Sequence, residues 1–281
     1  MDTLLIMLKN VLIFVLLAIP GLLLIKGKLL KPQDSGAMSK MLTNVGMPAL
    51  ILSNTLSLEL TGEFAVSLLV TAVVSVAFMV LTFLFSGLLC RDKNAKTNGM
   101  VRFCAVFINS GFIGIPLASA VFPGNTALMA FLIVTNIVMN VTLFTLGVYA
   151  ISGDKSNIRL KKAVLNPVFL AFVVGIALNL LGVGKVTEVH TFVNHLKGIV
   201  TGLSMTVLGM KLAEVPFKKL FTSGKMYYVS FLRLVLFPVL GVAVMLGLNQ
   251  IPFFSIDANA VVGFFMGIAM PTAALASALS D

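Results

Sequence analysis

Nine stretches of the chain are dominated by apolar residues, and short polar connections separate them. They run over residues 4–25, 37–58, 63–89, 100–121, 126–151, 162–182, 191–212, 226–249 and 258–280. A membrane-spanning helix needs about 20 mostly apolar residues, so each stretch is long enough to cross a bilayer. The connections, among them 26–34, 91–97, 123–125 and 153–162, are too short to hold a soluble domain. The pattern predicts a single all-α integral membrane unit. The first stretch is expected to be a retained span, because Met1-Asp2-Thr3 lacks the basic region that opens a cleaved signal.

Composition strengthens this reading. Apolar residues make up 59% of the 281 and charged residues 11%, against roughly 25% charged in ordinary soluble domains. Mean hydropathy is +1.08. On a soluble protein the formal charge of +10 would suggest a nucleic-acid partner, but here the bases gather on alternate connections. Lys26, Lys28, Lys31 and Lys40 lie on one face, followed by Arg91, Lys93, Lys96 and Arg102, then Lys155, Arg159, Lys161 and Lys162, then Lys211, Lys218, Lys219 and Lys225. These sixteen face only Lys9, Lys185 and Lys197 on the other side. The positive-inside rule then places the N-terminus outside and the basic loops in the cytoplasm, in the inner (cell) membrane. The expected partners are the lipid bilayer and a small solute, not nucleic acid.

A search for repeats finds that residues 1–151 and 152–281 share an order of features. Each half has a second span with polar residues in its middle: Asn44, Ser53 and Asn54 in one, Thr201 to Thr206 in the other. Each also has a fourth span interrupted by glycine and proline: 109–116 (Asn-Ser-Gly-Phe-Ile-Gly-Ile-Pro) and 267–272 (Gly-Ile-Ala-Met-Pro-Thr). A Leu-Ala-Ser-Ala tetrapeptide follows at 117–120 and 275–278. Five helices per repeat would bring the second copy in from the opposite side, the inverted topology of many secondary transporters. The second repeat would stop after its fourth helix, with the tenth helix missing from this chain.

Proline removes a backbone donor and nearby glycines expose the backbone, which costs several kcal/mol per unpaired group in hydrocarbon. The stretch from Asn109 to Pro116 therefore either lines a substrate site or packs as a kink, and its recurrence at Pro271-Thr272 favours the site. Ser110 and Gly111 belong to the same break. Asn136 and Asn140 lie one helical turn apart on one face of the fifth span; amides there either bind solute or bond a neighbouring helix. Asn44 and Ser53 are weaker candidates of the same type. Arg233 lies about seven residues, or roughly 10 Å, inside its span. It either balances an anionic solute or snorkels to the headgroups. His190 and His195 read as interfacial. Cys90 and Cys104 form neither a metal spacing nor a disulfide framework, and no metal or cofactor is expected. No phosphate-binding loop, HExxH or serine–histidine–acid arrangement is present, so an enzyme is not expected.

The stretch 109–117, Asn-Ser-Gly-Phe-Ile-Gly-Ile-Pro-Leu, resembles the fourth-helix motif of the auxin efflux carrier family, whose bacterial branch includes malate and malonate permeases. Asn44 to Leu50, Asn166-Pro167 and Met270-Pro271-Thr272 fall where that family has similar residues. The resemblance implies inverted five-helix repeats with crossed, discontinuous helices four and nine, as in bile-acid symporters. It also implies a scaffold part, a moving transport part and, in many members, a homodimer. Asn109 matches the family's asparagine at the crossing. An amide can donate to a carboxylate without placing a charge in the membrane.

These readings lead to a secondary carrier of a small organic anion, such as malate, malonate or an auxin-like acid, working by alternating access. Two alternatives stay open: a sodium-coupled organic-anion symporter of the bile-acid type, and a membrane sensor or receptor that keeps a transporter-like fold.

Overall fold

The computed structural model of the protein describes residues 2–91, 94–158, 161, 165–215, 224–250 and 256–272. In chain order the helices are α1 (Asp2–Lys26), α2 (Asp34–Met41), α3 (Met47–Leu56), α4 (Gly62–Leu89), α5 (Ala95–Val106), α6 (Ile115–Val121), α7 (Thr126–Thr142) and α8 (Val148–Ser152). Then follow α9 (Pro167–Leu180), α10 (Thr187–Lys197), α11 (Ile199–Glu214), α12 (Gly224–Phe231), α13 (Phe237–Leu248) and α14 (Ala258–Ile268). Among the described residues there is no strand, only an isolated bridge between Ile108 and Thr272.

Five helical stretches have the length and apolar character of membrane spans: Leu5–Lys26, Gly62–Leu89, Thr126–Ser152, Thr187–Glu214 and Gly224–Leu248. Three apolar helices are shorter: Ser110–Val121, Pro167–Leu180 and Ala258–Ile268. The predicted fourth span is thus split into α5 and α6. The ninth is described only as far as Thr272, so the tetrapeptide at 275–278 lies outside the described residues.

Wide π turns interrupt several helices, and the sequence explains three of them. Leu42–Gly46, Ser110–Gly114 and Leu232–Leu236 each end two residues before a proline: Pro48, Pro116 and Pro238. A helical proline cannot donate to the carbonyl four residues back, and its ring crowds that carbonyl. Those carbonyls belong to Asn44, Phe112 and Leu234, all inside the π turns, where the wider winding relieves the clash. Asn44, Ser110, Gly111 and Arg233 therefore all sit where a proline has opened the helix.

The chain divides into two compact units, each built from both halves of the sequence. The first comprises Met1–Leu58, Gly111–Thr126 and Pro167–Ser223. Within it α1 lies so close along α11 that a Cβ at Gly21 would overlap the Thr206 carbonyl, and one at Gly209 the Ala18 carbonyl. The other faces of α1 expose Leu12, Val15, Leu16 and Leu23, as befits a helix solvated by lipid. Across α3 and α9, Asn179 Nδ2 donates to the carbonyls of Thr55, Leu56 and Leu58 at 2.8, 3.0 and 2.9 Å. It thereby satisfies acceptors that the end of α3 leaves open.

The second unit comprises Glu59–Ser110, Ala127–Asn166 and Gly224–Asp281. Its stretch Thr126–Ser152, which contains α7 and α8, is the most enclosed of the five long ones, 72% buried over its most apolar part against 11% for Leu5–Lys26. The caps of the unit are local. Thr61 Oγ1 accepts from Phe64 N at 3.2 Å at the start of α4, and Asp257 accepts from Asn259 N at 2.6 Å at the start of α14. The seat of α14 depends on two glycines one turn apart. A Cβ at Gly263 would stand 2.7 Å from the Leu128 carbonyl oxygen, and one at Gly267 2.6 Å from Thr135 Cγ2. Only residues without a side chain let α14 approach α7 this closely.

Candidate functional site

The break in the predicted fourth span begins where α5 stops at Val106. Residues 107–109 leave the helix, and Ile108 pairs with Thr272 in the antiparallel bridge. Asn109 N donates to the Pro271 carbonyl at 2.8 Å. The winding resumes as the π turn Ser110–Gly114 ahead of Pro116. On the other side, α14 stops at Ile268 and Met270-Pro271-Thr272 follows without helical bonding. Each interrupted stretch thus supplies backbone partners to the other.

Beside the bridge runs a chain of neutral polar side chains. Asn140 Nδ2 donates to Asn136 Oδ1 at 3.1 Å and to the Asn136 carbonyl at 2.9 Å. Asn136 Nδ2 donates to Ser110 Oγ at 2.7 Å. Asn136 and Ser110 are fully buried, Asn109 nearly so, and Asn140 is half-buried. The four-residue spacing of the asparagines on α7 produces the stacking. The chain ends on a hydroxyl at the break itself.

Arg233 neither snorkels nor lies on the surface. Its side chain is 2% exposed. Nε donates to the Met270 carbonyl at 3.0 Å and Nη2 to the Ile268 carbonyl. The Ile268 carbonyl lies at the C-terminal end of α14, where the helix dipole places partial negative charge, and the Met270 carbonyl lies just beyond it. The neighbouring end of α5 is closed differently: Thr272 Oγ1 donates to the Cys104 carbonyl at 2.9 Å.

Of the residues singled out in sequence, Asn109, Ser110, Asn136, Asn140, Arg233, Pro271 and Thr272 belong to the second unit. All seven are joined there through hydrogen bonds or adjacent positions in the chain. Asn44, Ser53, Gly111 and Pro116 belong to the first unit. Asn44 is exposed and donates to the carbonyl of Lys40, in its own helix, at 2.7 Å. Ser53 is buried; its hydroxyl donates to Asn194 Oδ1 at 2.9 Å and accepts from Lys197 Nζ at 3.3 Å.

Lys197, counted with the charges of the outer face, turns its ammonium to Ser53. It lies within the helical stretch Thr187–Glu214, and the signal for it was an apolar pattern that continues past the lysine. Arg102, expected on a basic loop, turns inward to Ser86 Oγ at 3.3 Å and the Phe83 carbonyl at 3.2 Å, over the Phe83 ring. His190 Nε2 lies 2.7 Å from the Gly184 carbonyl oxygen, beside the first turn of α10. Among the described residues no three His, Cys, Asp or Glu side chains come together to hold a metal ion.

Apolar helices of membrane length, together with two interrupted stretches that share a polar contact, define a multi-pass membrane protein. Residues 6–280 match the family described as membrane transport protein, and the chain belongs to that family, the auxin efflux carriers. It is also 27% identical over 207 residues to a protein of Methanothermobacter thermautotrophicus named as an uncharacterized transporter. That match covers 73% of this chain and 67% of the relative.

Proposed function

We propose that this transporter is a secondary carrier for a small organic anion, a carboxylate such as malate, malonate or an auxin-like acid, working by alternating access. The observation that carries the reading is the buried chain Asn140–Asn136–Ser110 beside Asn109 and the bridge. Amides and a hydroxyl can donate to a carboxylate without the desolvation cost of a second buried charge. In this reading the second unit carries the anion, with Asn109, Ser110, Asn136 and Asn140 as its donors and Pro271-Thr272 holding the break open. The halves 1–151 and 152–281 are inverted repeats, and their fourth helices cross at the bridge. Gly111 and Pro116 make the first break possible; Asn44 and Ser53 serve the path of the solute. The carrier works in the inner membrane with its N-terminus outside and its basic loops in the cytoplasm, as a homodimer.

The test is uptake of labelled mono- and dicarboxylates into proteoliposomes, with and without a sodium gradient. At least one carboxylate is expected to accumulate. Asn109→Ala should lower apparent affinity at least about tenfold, the loss of one hydrogen bond to a charged group. Uptake that requires sodium would turn the reading to the bile-acid type of symporter. Binding without uptake would turn it to a sensor.

A further inference from the structure

We infer that Arg233 supplies a fixed positive charge that only the bound anion neutralises, so that the site selects for one carboxylate and rejects its uncharged amide. The inference rests on the organic-anion reading above and names what sets the sign of the charge accepted.

Arg233 is the only charged side chain among the buried residues described. A buried charge ordinarily has a partner of opposite sign, because leaving water is costly for an unpaired ion. Here there is none. The described acidic residues of the second unit, Glu59, Glu63, Asp154 and Asp257, are all exposed. What the guanidinium touches is the end of α14, through the Ile268 and Met270 carbonyls. A helix C-terminus carries about half a negative charge, so roughly half of the guanidinium charge stays uncompensated. Both donors, Nε and Nη2, are spent on neutral main-chain carbonyls. The amide chain adds donors but no charge, and Thr272 closes the end of α5 with a neutral hydroxyl. A bound anion can supply the counter-charge that the described residues do not. Met270 leads directly to Pro271, whose carbonyl holds Asn109 N, so the uncompensated charge borders the proposed donors.

The experiment measures thermal stabilisation of the purified, detergent-solubilised chain by malonate, malate and indole-3-acetate, each beside its amide: malonamide, malamide and indole-3-acetamide. Wild type is expected to be stabilised by at least one acid and not by the matching amide. Arg233→Gln should lose at least about tenfold in affinity for that acid and lose its preference over the amide. Arg233→Lys keeps the charge without the planar fork and should keep the preference at reduced affinity; it decides the matter if the glutamine variant does not fold. A folded Arg233→Gln protein with wild-type acid affinity would overturn this inference alone, as would a folded Arg233→Lys protein that no longer prefers the acid. A wild-type protein that no probe stabilises would overturn the anion reading together with it.

Discussion

α5 and α14 both end beside the bridge between Ile108 and Thr272, yet different chemistry satisfies their exposed carbonyls. At α5 a threonine hydroxyl reaches the Cys104 carbonyl; at α14 a buried guanidinium reaches those of Ile268 and Met270. The hydroxyl completes hydrogen bonding and leaves the local charge as the helix dipole makes it. The guanidinium does more, because it sets a positive charge against the partial negative charge at the end of α14. Two breaks alike in glycine and proline therefore differ in electrostatics. The difference rests on Arg233, which neither glycine–proline motif contains.

The largest effect should come from removing the charged cap without removing its bulk. Arg233→Met retains an apolar stem but leaves two buried carbonyls without their charge-assisted donors. Hydrogen bonds to charged groups contribute about 1.5–3 kcal/mol each, so the folded state should lose about 3–5 kcal/mol. Relief of an uncompensated buried charge offsets part of this, which makes the lower end of that range the expected value. Reversible denaturation of the detergent-solubilised protein measures it. A loss below about 1 kcal/mol would mean that the end of α14 does not depend on Arg233.

Several parts of this picture are legible in the sequence, for physical reasons. The spans show because apolar composition must fill some 30 Å of hydrocarbon whatever the packing. The amide chain shows because Asn136 and Asn140 are spaced one turn apart, a local relation. The breaks show because glycine and proline act on the backbone where they stand. Arg233 could be located as an intramembrane charge, but its partners lie 35 and 37 residues further along the chain. Neither snorkelling nor direct pairing with solute anticipates a bond to main-chain carbonyls. Ser53 was legible as a buried polar residue, whereas its partners Asn194 and Lys197 are more than 140 positions away. The π turns follow from the prolines only once the helices are known to continue through them.

A middle-sized effect should come from the amide chain, which meets the bridge through Ser110. Asn136→Ala removes the donor to Ser110 Oγ and the side-chain acceptor of Asn140 together. Asn140→Ala removes only the outer link. Acid affinity should fall at least about tenfold for Asn136→Ala and by a smaller factor for Asn140→Ala, with folded-state losses of about 1–3 kcal/mol and about 1 kcal/mol. Titrating an accumulating carboxylate against both variants gives the order. If the two variants were equal, Asn140 would act on solute directly rather than by orienting Asn136.

The smallest effect should come from the neutral cap, and it is the sharpest test of the comparison. Thr272→Val keeps the shape of the side chain and deletes the hydroxyl that serves the Cys104 carbonyl. Thr272 is partly exposed, and the bond joins two neutral groups. Interhelical hydrogen bonds of this type average about 0.6 kcal/mol in membrane proteins, so the expected loss is about 0.5–1 kcal/mol. The backbone bond from Asn109 N to the Pro271 carbonyl remains, so the two interrupted stretches should stay joined. No charge changes, so the preference for acid over amide should match wild type, and acid affinity should stay within about twofold. The same denaturation and probe titrations used for Arg233→Met decide it. A loss as large as that of the arginine variant, or a weakened preference for the acid, would show that the hydroxyl and the guanidinium serve a shared structural role. Selectivity for the anion would then have to come from the amide chain.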